Sequence, residues 1–221
     1  MNLKKNIKDF LLFILLVFCS YYFIDKNMAL FIANIWTSSS RLAIFSANIP
    51  DFLFPLVCLI TAVAWTAYFY LARKGMHSKH TYFFLLVANS VPLAYFLKAA
   101  LKYLFGRINT RFWLRHPHFT EFHWFHGIGN YAGFPSGHMA VFTALALALS
   151  KFYPAHRSIY LGFLGILALA LTVTNYHFIS DVIAGAYLGF LIHHLIDYVL
   201  TRVVTSKVGP MQKSQDRTGA L

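Results

Sequence analysis

The chain has 221 residues, of which 58% are hydrophobic and only 12% are charged. A soluble domain usually carries about 25% charged residues, so this composition indicates a membrane protein rather than a soluble globular one. The 19 Lys and Arg residues outnumber the 7 Asp and Glu residues and produce a formal charge of +12. Because these cations cluster in short segments between apolar runs, we expect them to orient the chain in a bilayer and to bind an anionic substrate, not nucleic acid.

Six apolar segments are long enough to cross a bilayer, which takes about 20 residues in a helix. They lie at about 8–25, 51–72, 81–104, 136–153, 159–177 and 180–204. In the first segment, Tyr21, Tyr22 and Phe23 stand where a signal peptide needs small residues, so we expect an uncleaved helix. Residues 26–50 are too polar for a seventh span and indicate an interfacial helix or loop. The sequence therefore predicts an all-α, polytopic membrane protein with six transmembrane helices and an interfacial segment between the first two.

The distribution of Lys and Arg predicts the orientation. Most of them fall on the side that holds both termini, so this side is predicted to be cytoplasmic. Residues 1–204 form one predicted membrane domain, and the polar residues 205–221 are expected to be a flexible cytoplasmic tail. A group of cations nevertheless lies at the outer end of the third span, before a long loop of the kind that is often functional. This group consists of Lys98, Lys102, Arg107, Arg111 and Arg115.

A short turn before the fourth span has the composition of an anion-binding helix start. Pro135 suits a first helical turn, and Ser136 is a favourable N-cap residue. The first N–H groups of such a helix, including that of Gly137, have no partner within the helix and can bind a phosphate. His138 stands beside them and can transfer a proton. These residues by themselves also allow a capped helix with a chance histidine.

A histidine and an aspartate meet where the sixth span begins. His177 and Asp181 are four residues apart, so they share one face of a helix. An Asp that bonds one ring nitrogen fixes the tautomer and makes the other nitrogen a better base or nucleophile. The alternative is a plain helix start, with Ser180 as N-cap and Asp181 in the first turn. The predicted topology places this pair, the Ser136 turn and the cations on one membrane face, which favours a common site.

Together these residues resemble the type 2 phosphatidic acid phosphatase superfamily of integral-membrane lipid phosphatases. The family has three motifs, K-x6-R-P, P-S-G-H and S-R-x5-H-x3-D, and the resemblance extends over a core of about 98–189. The second motif is complete at 135–138, and Lys102 begins the first motif. His177 and Asp181 match the end of the third motif.

The sequence departs from these motifs at the arginine positions. Asn109 and Thr110 occupy the Arg-Pro positions of the first motif, and Leu171 occupies the Arg position of the third. Neither Asn nor Leu can replace the charged fork that an arginine offers to phosphate oxygens. Arg107 resembles the Gly-Arg that some bacterial members carry in this loop, and Arg111 is a further available cation.

The resemblance implies a metal-independent hydrolase, without a cofactor, that removes phosphate from a lipid phosphate or diphosphate. His177, oriented by Asp181, would form a phosphohistidine, and His138 would protonate the leaving oxygen. The residues expected to hold the phosphate are Lys102, Arg107, Arg111, Ser136 and Gly137. No histidine has the H-E-x-x-H spacing of a metal site.

The implied location is the bacterial inner (plasma) membrane, with the active site facing the outside and both termini in the cytoplasm. The implied partners are the lipid substrate and the bilayer. A lipid phosphotransferase and a catalytically weakened protein that binds lipid phosphates are the alternatives from the same family. A transporter or structural membrane protein is the alternative from another class, although the sequence lacks the matched broken spans typical of transporters.

Overall fold

The computed structural model describes residues 3–36, 49–76 and 78–218, and within these ranges the regular structure is helical. The predicted all-α fold class is therefore confirmed. The helices are α1 (Leu3–Cys19), α2 (Asp25–Trp36), α3 (Ile49–Arg73), α4 (Lys79–Phe105), α5 (Thr110–Arg115), α6 (Gly137–Phe152), α7 (Arg157–Val173) and α8 (Ile179–Thr218).

In the described part of the chain, five stretches of helix are long and apolar enough to cross a membrane. They are Phe10–Ile35, Phe52–Arg73, Lys79–Phe105, Pro154–Val173 and Ile179–Val203. The remaining predicted span corresponds to α6, which is apolar but has only 16 residues. The polytopic membrane fold agrees with the prediction, whereas the count of six spans remains a prediction.

The first span is longer than the sequence predicted. A short π-helical stretch, Ser20–Ile24, joins α1 directly to α2, and the apolar helix continues to Ile35. The interfacial segment predicted for 26–50 therefore begins within this helix, and residues 37–48 lie outside the described part of the chain. The extension places Asp25 inside the span, where its side chain is buried.

Close contact between α6 and α8 brings the starts of these two helices together. A Cβ atom added at Gly185 would lie 2.3 Å from the carbonyl oxygen of Ser136, and one at Gly189 would lie 2.3 Å from that of Ala140. Only glycine permits this approach of the two backbones. Gly185 and Gly189, four residues apart, thus allow α6 and α8 to pack closely.

The loop between α4 and α6 folds back over the end of α4. His123 donates its backbone N–H to the carbonyl of Gly106 at 2.8 Å, and Gly127 donates to that of Tyr103 at 3.2 Å. Gly106 has a left-handed φ of 54°, and a Cβ there would lie 1.8 Å from the His123 carbonyl oxygen. The loop, folded back in this way, holds α5 beside the ends of α4 and α7.

Helical backbone in α8 continues past residue 204 to Thr218. The proposed division between a membrane domain and a flexible cytoplasmic tail at 204–205 therefore stays a prediction.

Candidate functional site

The turn before α6 is joined directly to the start of α8. Ser136 is the N-cap of α6, and its hydroxyl accepts the N–H of Met139 at 3.5 Å. The backbone N–H of Ser136 donates to the carbonyl oxygen of Asp181 at 3.0 Å. Ser136 and Asp181 are both fully buried, so the second and third motifs meet in the protein interior.

The turn that carries His177 is closed by the end of α7. The backbone N–H groups of Tyr176 and His177 both donate to the carbonyl oxygen of Leu171, at 3.0 and 3.1 Å. Asn175 adopts a left-handed φ of 50°, which Asn tolerates better than most residues. The Leu171 side chain packs in an apolar cluster with Met139, so the residue at the missing arginine position contributes to the core.

His177 faces Asp181 as the four-residue spacing predicts. Its Nδ1 lies 3.6 Å from Oδ2 of Asp181, which is ion-pair distance but longer than a hydrogen bond. The same Oδ2 accepts the backbone N–H of Phe178 at 3.1 Å. Burial lowers the pKa of His177 below its ordinary value, while its contact with Asp181 acts in the opposite direction. A neutral imidazole is therefore favoured at neutral pH, which a nucleophile requires.

A cavity of about 340 Å³ opens beside His177. Lys102 reaches it from α4 and donates from Nζ to the carbonyl oxygen of Ala132 at 2.6 Å. Three cationic side chains and His177 line the same cavity, which makes it suitable for a phosphate group. The lining residues that matter for binding are Lys102, Asn109, Arg111, Arg115, Tyr176 and His177.

Arg111 connects α5 to the end of α7. It donates from Nη2 to the carbonyl oxygen of Thr174 at 3.0 Å, and its guanidinium lies 5.3 Å from the ring centre of Tyr176. This position holds a guanidinium at the cavity wall although the arginine positions of the motifs hold other residues. Asn109, at one of those positions, donates from its side chain to the carbonyl of Gly129 at 3.1 Å and so stabilises the loop.

Arg107 lies in a buried network of ion pairs. Its side chain is only 2% exposed and forms ion pairs with two carboxylates. Nη1 donates to Oδ1 of Asp181 at 2.5 Å and to the hydroxyl of Ser180 at 2.6 Å, and Nη2 donates to Oδ2 of Asp25 at 2.7 Å. Both terminal nitrogens therefore bind protein groups, and the expectation that Arg107 holds the substrate phosphate stays a prediction.

Asp25 belongs to this network, and sequence reasoning missed it. Its Oδ1 accepts the backbone N–H of Ser180 at 3.0 Å, and its Oδ2 accepts the Ser180 hydroxyl as well as Arg107. The signal that could have identified it is a carboxylate within an apolar helix, since such groups are functional candidates by default.

Tyr176 stands between the two histidines of the predicted mechanism. Its ring centre lies 5.8 Å from that of His138 and 5.0 Å from that of His177, nearly perpendicular to both. His138 is buried in the first turn of α6. Both histidines therefore lie against the ring of Tyr176, and of the two, His177 lines the cavity.

Lys98 is a second residue that the predicted site omitted. A Cβ atom built at Gly137 would lie 3.0 Å from Cδ and 3.3 Å from Nζ of Lys98. The lysine therefore lies against the first turn of α6, one helical turn before Lys102 on α4. Its ammonium group adds positive charge where the helix start already favours anions.

Within the described ranges, no group of three or more His, Cys, Asp or Glu side chains is arranged to hold a metal ion. The cations that line the cavity are Lys102, Arg111 and Arg115. Metal independence remains a prediction for experiment.

Comparison with known proteins agrees with the resemblance. Curated protein sequences gave no match. Among solved structures, a transmembrane PAP2-type phosphatidylglycerolphosphate phosphatase from Bacillus subtilis aligns over 89% of this chain and 96% of its own, with 20% identity and a TM-score of 0.47. The family model of the PAP2 superfamily matches residues 83–204, more than half of the chain. The protein therefore belongs to the PAP2 superfamily.

Proposed function

We propose that the protein is a membrane lipid phosphatase that removes a phosphate from a lipid phosphate or diphosphate. The observation that carries this proposal is that His177, backed by the Asp181 carboxylate, lines one cavity with the cations Lys102 and Arg111. A nucleophile next to fixed positive charge is what phosphoryl transfer requires, because its catalysis depends on positioning and charge stabilisation.

In the first step, Nε2 of His177 attacks phosphorus, since Nδ1 faces Asp181. The N–P bond forms as the bond between phosphorus and the leaving oxygen breaks, and His138 donates a proton to that oxygen. Asp181 stabilises the positive charge that develops on the imidazole. The product is a phosphohistidine and a lipid alcohol, or a lipid monophosphate where the substrate is a diphosphate.

In the second step, water attacks the phosphohistidine on phosphorus. His138, now neutral, takes a proton from this water, the N–P bond breaks, and inorganic phosphate leaves. Both residues return to their initial protonation states. An acceptor lipid in place of water would make the same chemistry a phosphotransfer.

Lys102 and Arg111, with the N–H of Gly137 and the hydroxyl of Ser136, are the proposed ligands of the phosphoryl oxygens. For Arg107 we propose a different role, which is to hold Oδ1 of Asp181 while Oδ2 faces His177. Its charge is largely compensated by two buried carboxylates, which leaves little for a substrate phosphate.

An amphiphilic substrate suits a phosphate cavity at one end of a bundle of membrane-spanning helices. The headgroup would enter the cavity while the apolar chains stay in the bilayer. We propose that this end faces the outside of the bacterial inner membrane, as the Lys and Arg distribution predicts.

The test is phosphate release by the full chain in non-ionic detergent, over diacyl, polyprenyl and lipid A phosphates, with a chelator present. Wild-type protein should release phosphate, and His177→Ala and His138→Ala should each lose about a thousandfold in kcat. Full activity in either variant would contradict the mechanism. Lipid binding without turnover of any substrate would instead identify the catalytically weakened alternative.

A further inference from the structure

The first span, Phe10–Ile35, contributes a buried carboxylate to the network around Asp181, although this span lies before every motif in the sequence. Asp25 is 2% exposed and lies 82 residues from Arg107 and 155 residues from Ser180, the two groups that it binds. Burying an ionised group costs free energy unless the group is paired and hydrogen-bonded. Each oxygen of Asp25 has such a partner.

The partners of Asp25 connect it indirectly to His177. It binds Arg107, which in turn holds Oδ1 of Asp181 at 2.5 Å and leaves Oδ2 facing Nδ1 of His177. It also accepts the backbone N–H of Ser180, which places the first turn of α8. Asp25 and His177 line one narrow crevice between α2 and the turn after α7.

We infer that Asp25 is a positioning residue of the active site, which holds Arg107 and the start of α8 so that Asp181 keeps one carboxylate oxygen for His177. This inference rests on the proposed function, because it assigns a role in the same reaction. Asp25 binds Nη2 of Arg107 whereas Asp181 binds Nη1, so Asp25 acts on His177 through these groups.

The charge of Asp25 has a second consequence. One guanidinium is shared by two carboxylates, so removal of the Asp25 charge leaves the whole charge of Arg107 acting on Asp181 and His177. The other groups that face His177 are Asp181 on α8, Lys102 on α4, Arg111 on α5 and Tyr176 beside it. Among these only Asp181 is an anion at neutral pH, so an unshared Arg107 lowers the basicity of His177.

The decisive variant is Asp25→Asn, which keeps the shape and removes the charge. We expect kcat to fall about ten- to hundredfold while KM changes by less than about threefold, as for groups that orient a reacting residue. The acid limb of the pH profile should move about 0.5–1 pH unit lower. Asp25→Glu should recover part of kcat. A merely structural role would lower the melting temperature and leave the kcat per folded molecule and the pH profile unchanged, which would overturn the inference.

Tyr21→Phe is the matched control. Tyr21 lies one turn before Asp25 and donates its hydroxyl to Glu121 at 2.9 Å, whereas its ring lies 5.0 Å from the Arg107 guanidinium and is kept in Phe. This variant removes the hydrogen bond from the first span to Glu121 without changing the charge around Arg107. Its kcat and pH profile should match those of the wild type.

A readout without turnover separates this inference from the proposed function. The rate at which diethyl pyrocarbonate acylates His177, followed by peptide mass spectrometry across pH, reports the protonation of this ring. A lower midpoint in Asp25→Asn supports the inference even if the wild type turns over no lipid phosphate, which would defeat only the proposed function. An unchanged midpoint overturns the inference.

Ser180→Ala is the variant that tests the inference if Asp25→Asn does not fold. The Ser180 hydroxyl donates to Asp25 and accepts from Arg107 at 2.6 Å, so its loss loosens the same network with both charges in place. A lower kcat at unchanged KM supports the inference, and wild-type kinetics overturn it.

Discussion

Nδ1 of His177 lies 3.6 Å from Oδ2 of Asp181, and both side chains are buried. The other oxygen of this carboxylate is bound by Arg107 at 2.5 Å. Asp181 is therefore held from two sides, so it can orient the imidazole without rotating away. This arrangement makes the ring of His177 the reactive group in the proposed mechanism and sets its expected pH dependence.

The acid limb of kcat/KM should lie below pH 6.5, the ordinary pKa of histidine. Burial lowers the pKa of His177, so the ring stays neutral and nucleophilic until the pH falls through this lower value. Phosphate release measured from pH 4 to 8 checks it. In Asp181→Asn the limb should move lower still, because the contact with Asp181 raises that pKa. An acid limb above pH 6.5 in the wild type would contradict the assignment of His177 as nucleophile.

Arg111→Ala should lower kcat/KM by about a hundredfold, because it removes a guanidinium from the wall of the phosphate cavity. Arg115→Ala is the matched control on the same short helix. Arg115 also lines the cavity but is exposed to solvent, so its loss should cost less than about fivefold. Steady-state kinetics on one lipid phosphate compare the two. Equal effects of the two substitutions would show that Arg111 is not the replacement for the missing motif arginines.

Gly189→Ala should destabilise the protein by about 1–3 kcal/mol, since its Cβ would lie 2.3 Å from the carbonyl oxygen of Ala140 and force α6 and α8 apart. Gly162→Ala, on an exposed face of α7, is the control. A Cβ there meets no atom of the described residues within 4 Å, so its stability should be unchanged or slightly higher. Thermal unfolding in detergent measures both. Similar melting temperatures for the two variants would rule out the tight contact.

Glu121→Gln should lower the melting temperature at neutral pH, and this difference should shrink as the pH falls through the lowered pKa of Glu121. Burial acts to raise the pKa of Glu121, yet the hydrogen bonds from Lys26 and Tyr21 outweigh it and hold the pKa below its ordinary value. The stabilisation is therefore complete above the unfolded-state pKa and is lost as the pH falls through the folded-state pKa. Because Lys26 is half exposed, we expect an effect below about 1 kcal/mol that weakens in high salt. A difference between wild type and variant that is independent of pH would argue against a charge effect.

Several features of the fold and the site could be predicted because they depend on neighbours in the chain. Apolar segments long enough for a bilayer identified the spanning helices, and the residue preferences of a helix start identified Ser136 as the N-cap of α6. The spacing of four residues placed His177 against Asp181. The end of the first span was predicted too early, because Asp25 and Lys26 have partners elsewhere in the fold that the local polarity does not reveal.

The sequence by itself determined the membrane class, the helix that carries the Ser-Gly-His turn and the His–Asp pair, since each follows from composition or from contacts within one helical turn. Only the tertiary structure decided which group each arginine binds. Arg107 lies 82 residues from Asp25 and 74 from Asp181, and Arg111 lies 63 from Thr174. Contacts at such separations leave no periodic pattern in a chain, because they depend on how whole helices pack. That packing directs Arg107 toward two buried carboxylates and brings Arg111 to the cavity beside His177.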